Sequence, residues 1–250
     1  MSNKRLIIFF TLLIYIPLLS STQLIHVFGD SHASFCFSNN KFLAFTEYSF
    51  FNYFHNNAQV FLPFVISAYI SKTMHGVSSK GLDLINIKNS WVQENDIVIF
   101  AFGEVDVRAH IGRQRDEKKR DLSEIIDTLV TKYFKFIKAN KQQFNNIYCV
   151  VMSVVPPSDT CVDPSMPFYG TLEDRVNITK MLNQKLQNVC RQEKFEFLDV
   201  YSLFANEKGF LIYQLSDGCM HINMLHNTII KNKLIELLQS KNIIQALKKS

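Results

Sequence analysis

Two long apolar runs constrain the fold of this chain more than any other feature. They read IVIFAF at 97–102 and IYCVVMSVV at 147–155. Apolar runs without alternating polar residues are typical of strands covered on both faces, as in a parallel sheet flanked by helices. Shorter candidate strands lie at Leu24–Phe28, Val60–Ile66 and Phe195–Val200. The pattern therefore predicts a central sheet of about five strands.

Longer amphipathic stretches separate these strands. Apolar residues recur at helical spacing within Leu122–Lys138, Leu172–Gln192 and Met224–Leu238. Strands that alternate with helices of this length favour an α/β fold, with a parallel sheet between two layers of helices. The segment 38–54, rich in Phe and Asn, gives no clear pattern.

The N-terminus has the layout of a secretory signal. Lys4 and Arg5 precede the apolar run Leu6–Leu19, which is followed by small polar residues. This order predicts a signal peptide over residues 1–22 and a secreted or secretory-lumen protein. An uncleaved membrane anchor is the alternative, although the run is short of the roughly 20 residues that a span needs. Residues 23–250 are predicted to form one domain, since this length suits a single core.

Charge and cysteine patterns exclude several classes of site. The formal net charge is +5, but the basic residues are scattered and form no stripe with interleaved aromatics, so no nucleic-acid partner is predicted. The five cysteines show no CxxC spacing, which argues against zinc-knuckle and thioredoxin-like sites. In a secreted chain we expect one or two disulfides and at least one unpaired thiol.

Polar and titratable residues gather where a parallel sheet places its ligand site. Gly29-Asp30-Ser31-His32 follows the first strand, and GEVDVRAH, residues 103–110, follows the third. VVPPSD follows the fourth strand, and SDGCMHIN, residues 216–223, precedes the last helix. Ligands of such sheets bind at the carboxyl ends of the strands. We therefore expect these segments to meet in one site.

The GDSH segment suits two kinds of chemistry. Asp30 and His32 resemble the opening motif of calcineurin-like metallophosphoesterases, but the other motifs of that two-metal site are absent. A metal-dependent phosphoesterase is thus a minor alternative, and no metal or organic cofactor is predicted. The second chemistry uses Ser31 as a nucleophile, with Asp217 orienting His221 as its base. Gly29 would permit close backbone approach at the turn.

These residues resemble a known family. FGDSH is similar to the first block of the GDSL/SGNH hydrolases, Gly103–Asp106 to their third block, Gly-x-Asn-Asp, and Asp217 with His221 to their last. The resemblance covers about residues 24–238. It implies a three-layer, flavodoxin-like fold and a serine esterase or acyl transferase. FGEVDVRAHI further resembles a subgroup with Gly-Glu-Ile-Asp-Cys-Arg-x-His, some members of which accompany glycan-modifying enzymes.

The sequence departs from the family pattern at three points. Val105 replaces the third-block asparagine that donates to the oxyanion, and Arg108 or His110 is the candidate substitute. The second-block glycine falls near Ile70 or Ser71, or else at Gly76. Asp217 and His221 are one residue further apart than usual, which leaves His226 as an alternative base.

The resulting prediction is an ester hydrolase or acyl transferase that acts on a small-molecule or glycan ester, with O-acylated carbohydrate as the substrate class. Ser31 would be the nucleophile, His221 the base and Asp217 its orienter, and the amides of Ser31 and Gly103 would face the oxyanion. The remaining candidate site residues are Gly29, Asp30, His32, Glu104, Asp106, Arg108 and His110. The rival prediction, favoured by Val105, is a non-catalytic domain that binds glycan or another partner. A membrane would be a partner only if the N-terminal segment stays uncleaved.

Several candidate site residues also have structural interpretations. Asp30 would cap the turn or helix after the first strand. Asp106 and Arg108 would form an ion pair between loops, and His221 would cap the last helix.

Overall fold

A computed structural model describes residues 23–38, 46–55, 58–69, 71–159 and 167–244. The predicted signal peptide or anchor, residues 1–22, lies outside these ranges. In the part of the chain that is described, no helix combines the length and the apolarity that crossing a membrane requires.

The described residues form one six-stranded sheet in the order β2-β3-β1-β4-β5-β6. Five strands run parallel, and β2 pairs antiparallel with β3 at one edge. The predicted α/β fold with about five parallel strands is confirmed, whereas β2 falls in the segment that gave no clear pattern. The strands are β1 (Ile25–Gly29), β2 (Thr46–His55), β3 (Ala58–Ala68), β4 (Ile97–Ala101), β5 (Tyr148–Met152) and β6 (Glu196–Leu198).

Three long helices match the sequence prediction, and several shorter ones were not predicted. The α-helices are α1 (Ser31–Phe37), α2 (Met74–Lys80), α3 (Gly112–Asp116), α4 (Leu122–Lys141), α5 (Leu172–Glu193), α6 (Tyr201–Phe204) and α7 (Asn227–Ser240). A π-helical turn, Asp106–Ile111, leads into α3. Short 3₁₀ helices occupy Gly81–Asp83, Ile87–Asn89, Tyr213–Leu215 and Met224–His226.

Each face of the sheet has its own apolar core. Val98 and Phe100 of β4 pack into the core that includes α2, α4 and α5. Ile97 and Ile99 of the same strand pack into the core that includes α1, α6 and α7. Successive side chains of a strand point to opposite faces. Both faces are covered, which explains why the run at 97–102 is apolar without interruption.

The junction between β1 and α1 places Ser31 at the carboxyl edge of the sheet. Asp30 caps α1, and its carboxylate accepts the N–H of His32 at 2.9 Å. The backbone at Gly29 packs closely against Ala101 of β4 and Ala33 of α1. A Cβ atom on Gly29 would lie 2.4 Å from the Ala101 carbonyl oxygen and 2.6 Å from the Ala33 Cβ. Only glycine fits this crossing without displacing its neighbours. Ser31 therefore becomes the first residue of a helix that begins directly beyond a strand.

Candidate active site

The structure brings Ser31 and His221 together although 190 residues separate them in the chain. The Ser31 hydroxyl lies 3.0 Å from Nε2 of His221. This distance is within the range expected between a serine nucleophile and its general base. Ser31 is half-buried, so its hydroxyl is held by the fold yet reachable from solvent. His226, the alternative base, lies in the 3₁₀ turn before α7.

A tight loop brings Asp217 to the other side of the same imidazole. Its Oδ2 lies 3.1 Å from His221 Nδ1, while its Oδ1 accepts the N–H groups of Cys219 at 2.9 Å and His221 at 3.1 Å. The loop is closed by a bridge between Ser216 and Ile222 and turns at Gly218, whose φ is +87°. The turn at Gly218 takes up the extra residue between Asp217 and His221. The wide spacing therefore does not separate the acid from the base.

Two rings hold the His221 imidazole in place. Phe35 stacks on it with ring centroids 4.0 Å apart and planes 9° from parallel. The His32 ring lies 4.6 Å away on a tilted plane. With Asp217 fixing Nδ1, these contacts leave Nε2 pointing at Ser31. The arrangement assigns the proton to Nδ1 and the lone pair to Nε2, because a carboxylate accepts and cannot donate.

The surroundings keep His221 neutral near neutral pH. Burial lowers the pKa of His221, and the positive charge of His32 lowers it further, against the opposing effect of Asp217. Burial alone would raise the pKa of Asp217, but hydrogen bonds from His221 and from the Cys219 N–H lower it overall. A neutral imidazole beside an ionised carboxylate is the state that general-base catalysis requires.

His32 belongs to a buried cluster of charged side chains that also contains Glu104 and Asp30. Its Nε2 lies 3.8 Å from Glu104 Oε2, an ion-pair separation rather than a hydrogen bond. Burial works against the charged imidazole, but Glu104 and Asp30 together raise the pKa of His32. Burial would likewise raise the pKa of Glu104, yet His32 and Arg108 lower it to about 2. Burial raises the pKa of Asp30 to about 6.

Arg108 pairs with Glu104 and not with Asp106. Its Nε donates to Glu104 Oε1 at 2.9 Å, and its Nη2 donates to Oε2 at 3.4 Å. The Asp106 carboxylate instead accepts the backbone N–H groups of Met74 and His75 at the start of α2. The expected Asp106–Arg108 ion pair is therefore wrong, because the exposed amides of a helix N-terminus take the carboxylate. Burial raises the pKa of Asp106 to about 7.

His110 is placed with His75 rather than with the catalytic candidates. The two rings stack with centroids 3.9 Å apart, and Nε2 of His110 lies 2.7 Å from the side-chain nitrogen of Gln114. Burial and neighbouring cations, His75 first among them, lower the pKa of His110 to about 4. A neutral imidazole held in this stack does not supply the positive charge expected of it beside Val105.

The two amides predicted to face the oxyanion lie on either side of Asp30. The Ser31 amide lies at the first position of α1, where helical N–H groups lack intrahelical partners. The Gly103 N–H lies near the Asp30 carboxylate and lowers the pKa of Asp30 against the larger effect of burial. Among the candidates for the second-block position, Ser71 has a φ of 61°, in the region that glycine favours, while Ile70 lies outside the described residues. Gly76 lies inside α2.

Cysteines fall into two groups in this structure. Cys36, Cys149 and Cys190 are free and buried, and Cys219 is disulfide-bonded. Cys161 lies outside the described residues. Cys219 lies in the loop that carries Asp217 and His221, between these two residues.

The carboxylates and imidazoles near Ser31 are paired with one another or with backbone amides. Within residues 23–38, 46–55, 58–69, 71–159 and 167–244, no group of three or more His, Cys, Asp or Glu side chains is arranged to hold an ion. Asp30 caps a helix and His32 faces Glu104, so neither is paired in the manner that the phosphoesterase alternative requires.

Neither a protein-family model nor a curated protein matches the sequence. Solved structures do match over most of the chain. The acetylxylan esterase Axe2 from Geobacillus stearothermophilus, solved as a catalytic mutant, is 12% identical with a TM-score of 0.53, over 92% of this chain and 98% of that one. A GDSL-like lipase from Bacteroides thetaiotaomicron is 11% identical with a TM-score of 0.52, over 91% and 95% of the two chains. The chain has the SGNH/GDSL hydrolase fold.

A third SGNH-like structure extends the comparison. Est24, a carbohydrate acetylesterase from Sinorhizobium meliloti, is 12% identical with a TM-score of 0.51, over 88% of this chain and all of that one. The resemblance stated from the GDSH, GEVD and Asp217–His221 segments is thereby confirmed at the level of the fold. At these identities the comparison concerns the fold alone.

Several residues that shape the site were not predicted from the sequence. Phe35 stacks on His221, and Arg175 of α5 lines a pocket together with Glu104 and Arg108. Phe35 lies four residues beyond Ser31, on the same face of what proved to be a helix, which is the one signal that could have identified it. Arg175 sits within an amphipathic helix, where an arginine is ordinarily a solvent-exposed residue.

Proposed function

We propose that this chain is a serine ester hydrolase or acyl transferase of SGNH type. The observation that carries the proposal is the continuous chain of contacts from Ser31 Oγ to His221 Nε2 at 3.0 Å and from His221 Nδ1 to Asp217 at 3.1 Å. A hydroxyl, a neutral imidazole and an ionised carboxylate in this order form the constellation that activates serine for attack on a carbonyl.

The reaction follows from these contacts. Ser31 Oγ attacks the ester carbonyl while its proton passes to His221 Nε2, and Asp217 stabilises the imidazolium that forms. The imidazolium then protonates the leaving alcohol, which leaves an acyl group on Ser31. An acceptor hydroxyl or water, deprotonated by the same nitrogen, releases the acyl group. The Ser31 amide at the start of α1 is the proposed donor to the oxyanion.

Val105 is the observation that favours a second candidate function. Removal of one oxyanion donor costs about 10²–10³ in rate in serine hydrolases. Arg108, a candidate substitute, is engaged by Glu104 through two hydrogen bonds. A glycan-binding domain without turnover is therefore the alternative, and it requires that Ser31 be unreactive.

Covalent labelling separates the two functions. A fluorophosphonate probe should label the wild-type chain and should fail to label Ser31→Ala, because the activated hydroxyl is the group that reacts. Ser79→Ala removes an exposed serine of α2 and is the matched control, which should label like the wild type. Absence of labelling in the wild type, under conditions that label an active esterase of this fold, would leave the binding domain as the better account.

A pH profile tests the role of His221. Because burial and His32 lower its pKa, kcat/KM for an aryl acetate should fall as pH falls through a midpoint below the ordinary histidine value of 6.5. Replacing His32 with asparagine removes a neighbouring cation, so the midpoint should move to higher pH. A midpoint above 6.5 in the wild type, or a shift to lower pH in His32→Asn, would contradict this assignment.

We further propose O-acylated carbohydrate as the substrate class, in an oxidising compartment. The names of Axe2 and Est24, two similar folds that act on acetylated carbohydrate, support the substrate class. The disulfide at Cys219 supports the compartment, since disulfides persist where thiols are not kept reduced. Secretion through residues 1–22 is the corresponding route.

A further inference from the structure

A pocket opens beside the proposed catalytic residues. It lies between the turn after β4, the segment after β5 and helix α5, and the volume that it offers to the centre of a water molecule is about 20 Å³. Val107, Val154, Val155 and Met220 give it apolar walls, and Glu104, Arg108 and Arg175 give it charge. This space suits a small group such as a carboxylate, while the ring that carries the group would lie at the open mouth.

The pocket shares residues with the surroundings of His221. Met220 precedes His221 in the chain and lines the pocket. Glu104 also lines it and lies 3.8 Å from His32, whose ring is 4.6 Å from that of His221. A substrate that reaches Ser31 can therefore place a neighbouring substituent in the pocket.

Arg175 is the unusual member of the pocket. It is 7% exposed, and its Nε is buried without a hydrogen-bond partner among the described residues. No carboxylate of the described residues lies within ion-pair distance of its guanidinium, whereas Arg108 is held by Glu104. Both guanidiniums lie over the Phe168 ring, at 4.7 Å for Arg175 and 5.3 Å for Arg108.

A buried arginine without a carboxylate partner is stabilised when it binds an anion. A buried polar group without a partner is destabilising, and a buried charged group without a partner is more so. Among the described residues that line the pocket, Arg108 and Arg175 carry positive charge and Glu104 carries the one negative charge. Stacking on Phe168 fixes the plane of the guanidinium, whose forked N–H groups match the two oxygens of a carboxylate. A small monoanionic group such as a carboxylate would pair with Arg175 at this position.

We propose that this pocket binds the carboxylate of an acidic sugar, so that the preferred substrate is an O-acylated hexuronic acid or a similar sugar acid. The identity of the substrate as an ester rests on the proposed function. The binding of a carboxylate by Arg175 is independent of the proposed function, because binding requires only the pocket and no catalysis at Ser31.

Kinetics with a matched pair of substrates test the preference. We expect kcat/KM for acetylated methyl glucuronoside to exceed that for acetylated methyl glucoside by about tenfold or more, which corresponds to about 1.4 kcal/mol. Arg175→Gln should bring this ratio close to one, and Arg175→Lys, which keeps the charge but loses the fork, should give an intermediate ratio. Arg191→Gln, an exposed change on the same helix, should leave the ratio unchanged.

Calorimetric titration of Ser31→Ala separates the two proposals. This variant should bind methyl glucuronoside and bind methyl glucoside at least tenfold more weakly, and adding Arg175→Gln should abolish the difference. Binding of the glucuronoside without turnover by the wild type would support the pocket and overturn the esterase. The pocket proposal would be overturned if the wild type hydrolysed both esters with a kcat/KM ratio near one and Arg175→Gln, with the melting temperature of the wild type, gave the same ratio. The esterase proposal would stand in that case.

Discussion

Replacing His221 with alanine should lower kcat for an aryl acetate by about 10⁴-fold or more. In the proposed reaction the imidazole takes the proton from Ser31, with which it makes the 3.0 Å contact, and Phe35 and His32 pack against it. Without it the hydroxyl keeps its ordinary, weak nucleophilicity. Steady-state kinetics at a pH above the wild-type acid limb measure the loss directly.

His226→Gln is the matched control for this experiment. His226 lies five residues further on in a 3₁₀ turn, and its side chain caps no helix. Its replacement should leave kcat within about twofold of the wild type, since substitutions away from special features change little. Equal losses in the two variants, or a larger loss in His226→Gln, would remove His221 from the role of base.

Gly29→Ala should lower the free energy of unfolding by about 3 kcal/mol or more. The added Cβ would meet the Ala101 carbonyl oxygen at 2.4 Å and the Ala33 Cβ at 2.6 Å, and neither is the end of a flexible side chain. The clash would push α1 away from the sheet. Chemical denaturation followed by circular dichroism gives the difference, and Ser31 should lose reactivity because α1 carries it.

Gly76→Ala provides the comparison for the stability measurement. Its Cβ would lie 3.1 Å from the Thr73 hydroxyl, and the residue lies within α2 at an ordinary φ. Alanine in a helix interior is favoured over glycine by roughly 0.5–1 kcal/mol. Stability should therefore change little or rise slightly. A Gly29→Ala protein as stable as the wild type would show that the β1–α1 crossing tolerates a side chain.

Periodicity made the central sheet predictable, because a strand buried on both faces leaves an unbroken apolar run such as 97–102. The edge strand β2 was not predictable in the same way. It pairs with one neighbour only, and the period-2 pattern of its residues is weak. The short helices α1 and α2 were missed because a helix of seven residues carries fewer than two full repeats of the apolar pattern.

The sequence predicted the site residues that belong to a recognisable motif. It did not predict the positions of side chains that depend on tertiary packing. Ser31, Asp217 and His221 could be chosen because their residue types and order matched a known constellation. The positions of Asp106, Arg108 and His110 could not, since one turn of π-helix decides which way each side chain points. Arg175 carried no local signal, because its isolation from carboxylates depends on the tertiary structure.

The packing of the His221 ring has a further consequence for the fate of the acyl group. The imidazole packs between Phe35 and His32 with Nε2 toward Ser31. In the proposed reaction this one nitrogen would release a proton to the departing alcohol and then collect one from the incoming acceptor at the same position. Either water or a second sugar hydroxyl could then enter the space that the alcohol has left. Water would complete hydrolysis of the ester, whereas a sugar hydroxyl would accept the acyl group and complete its transfer.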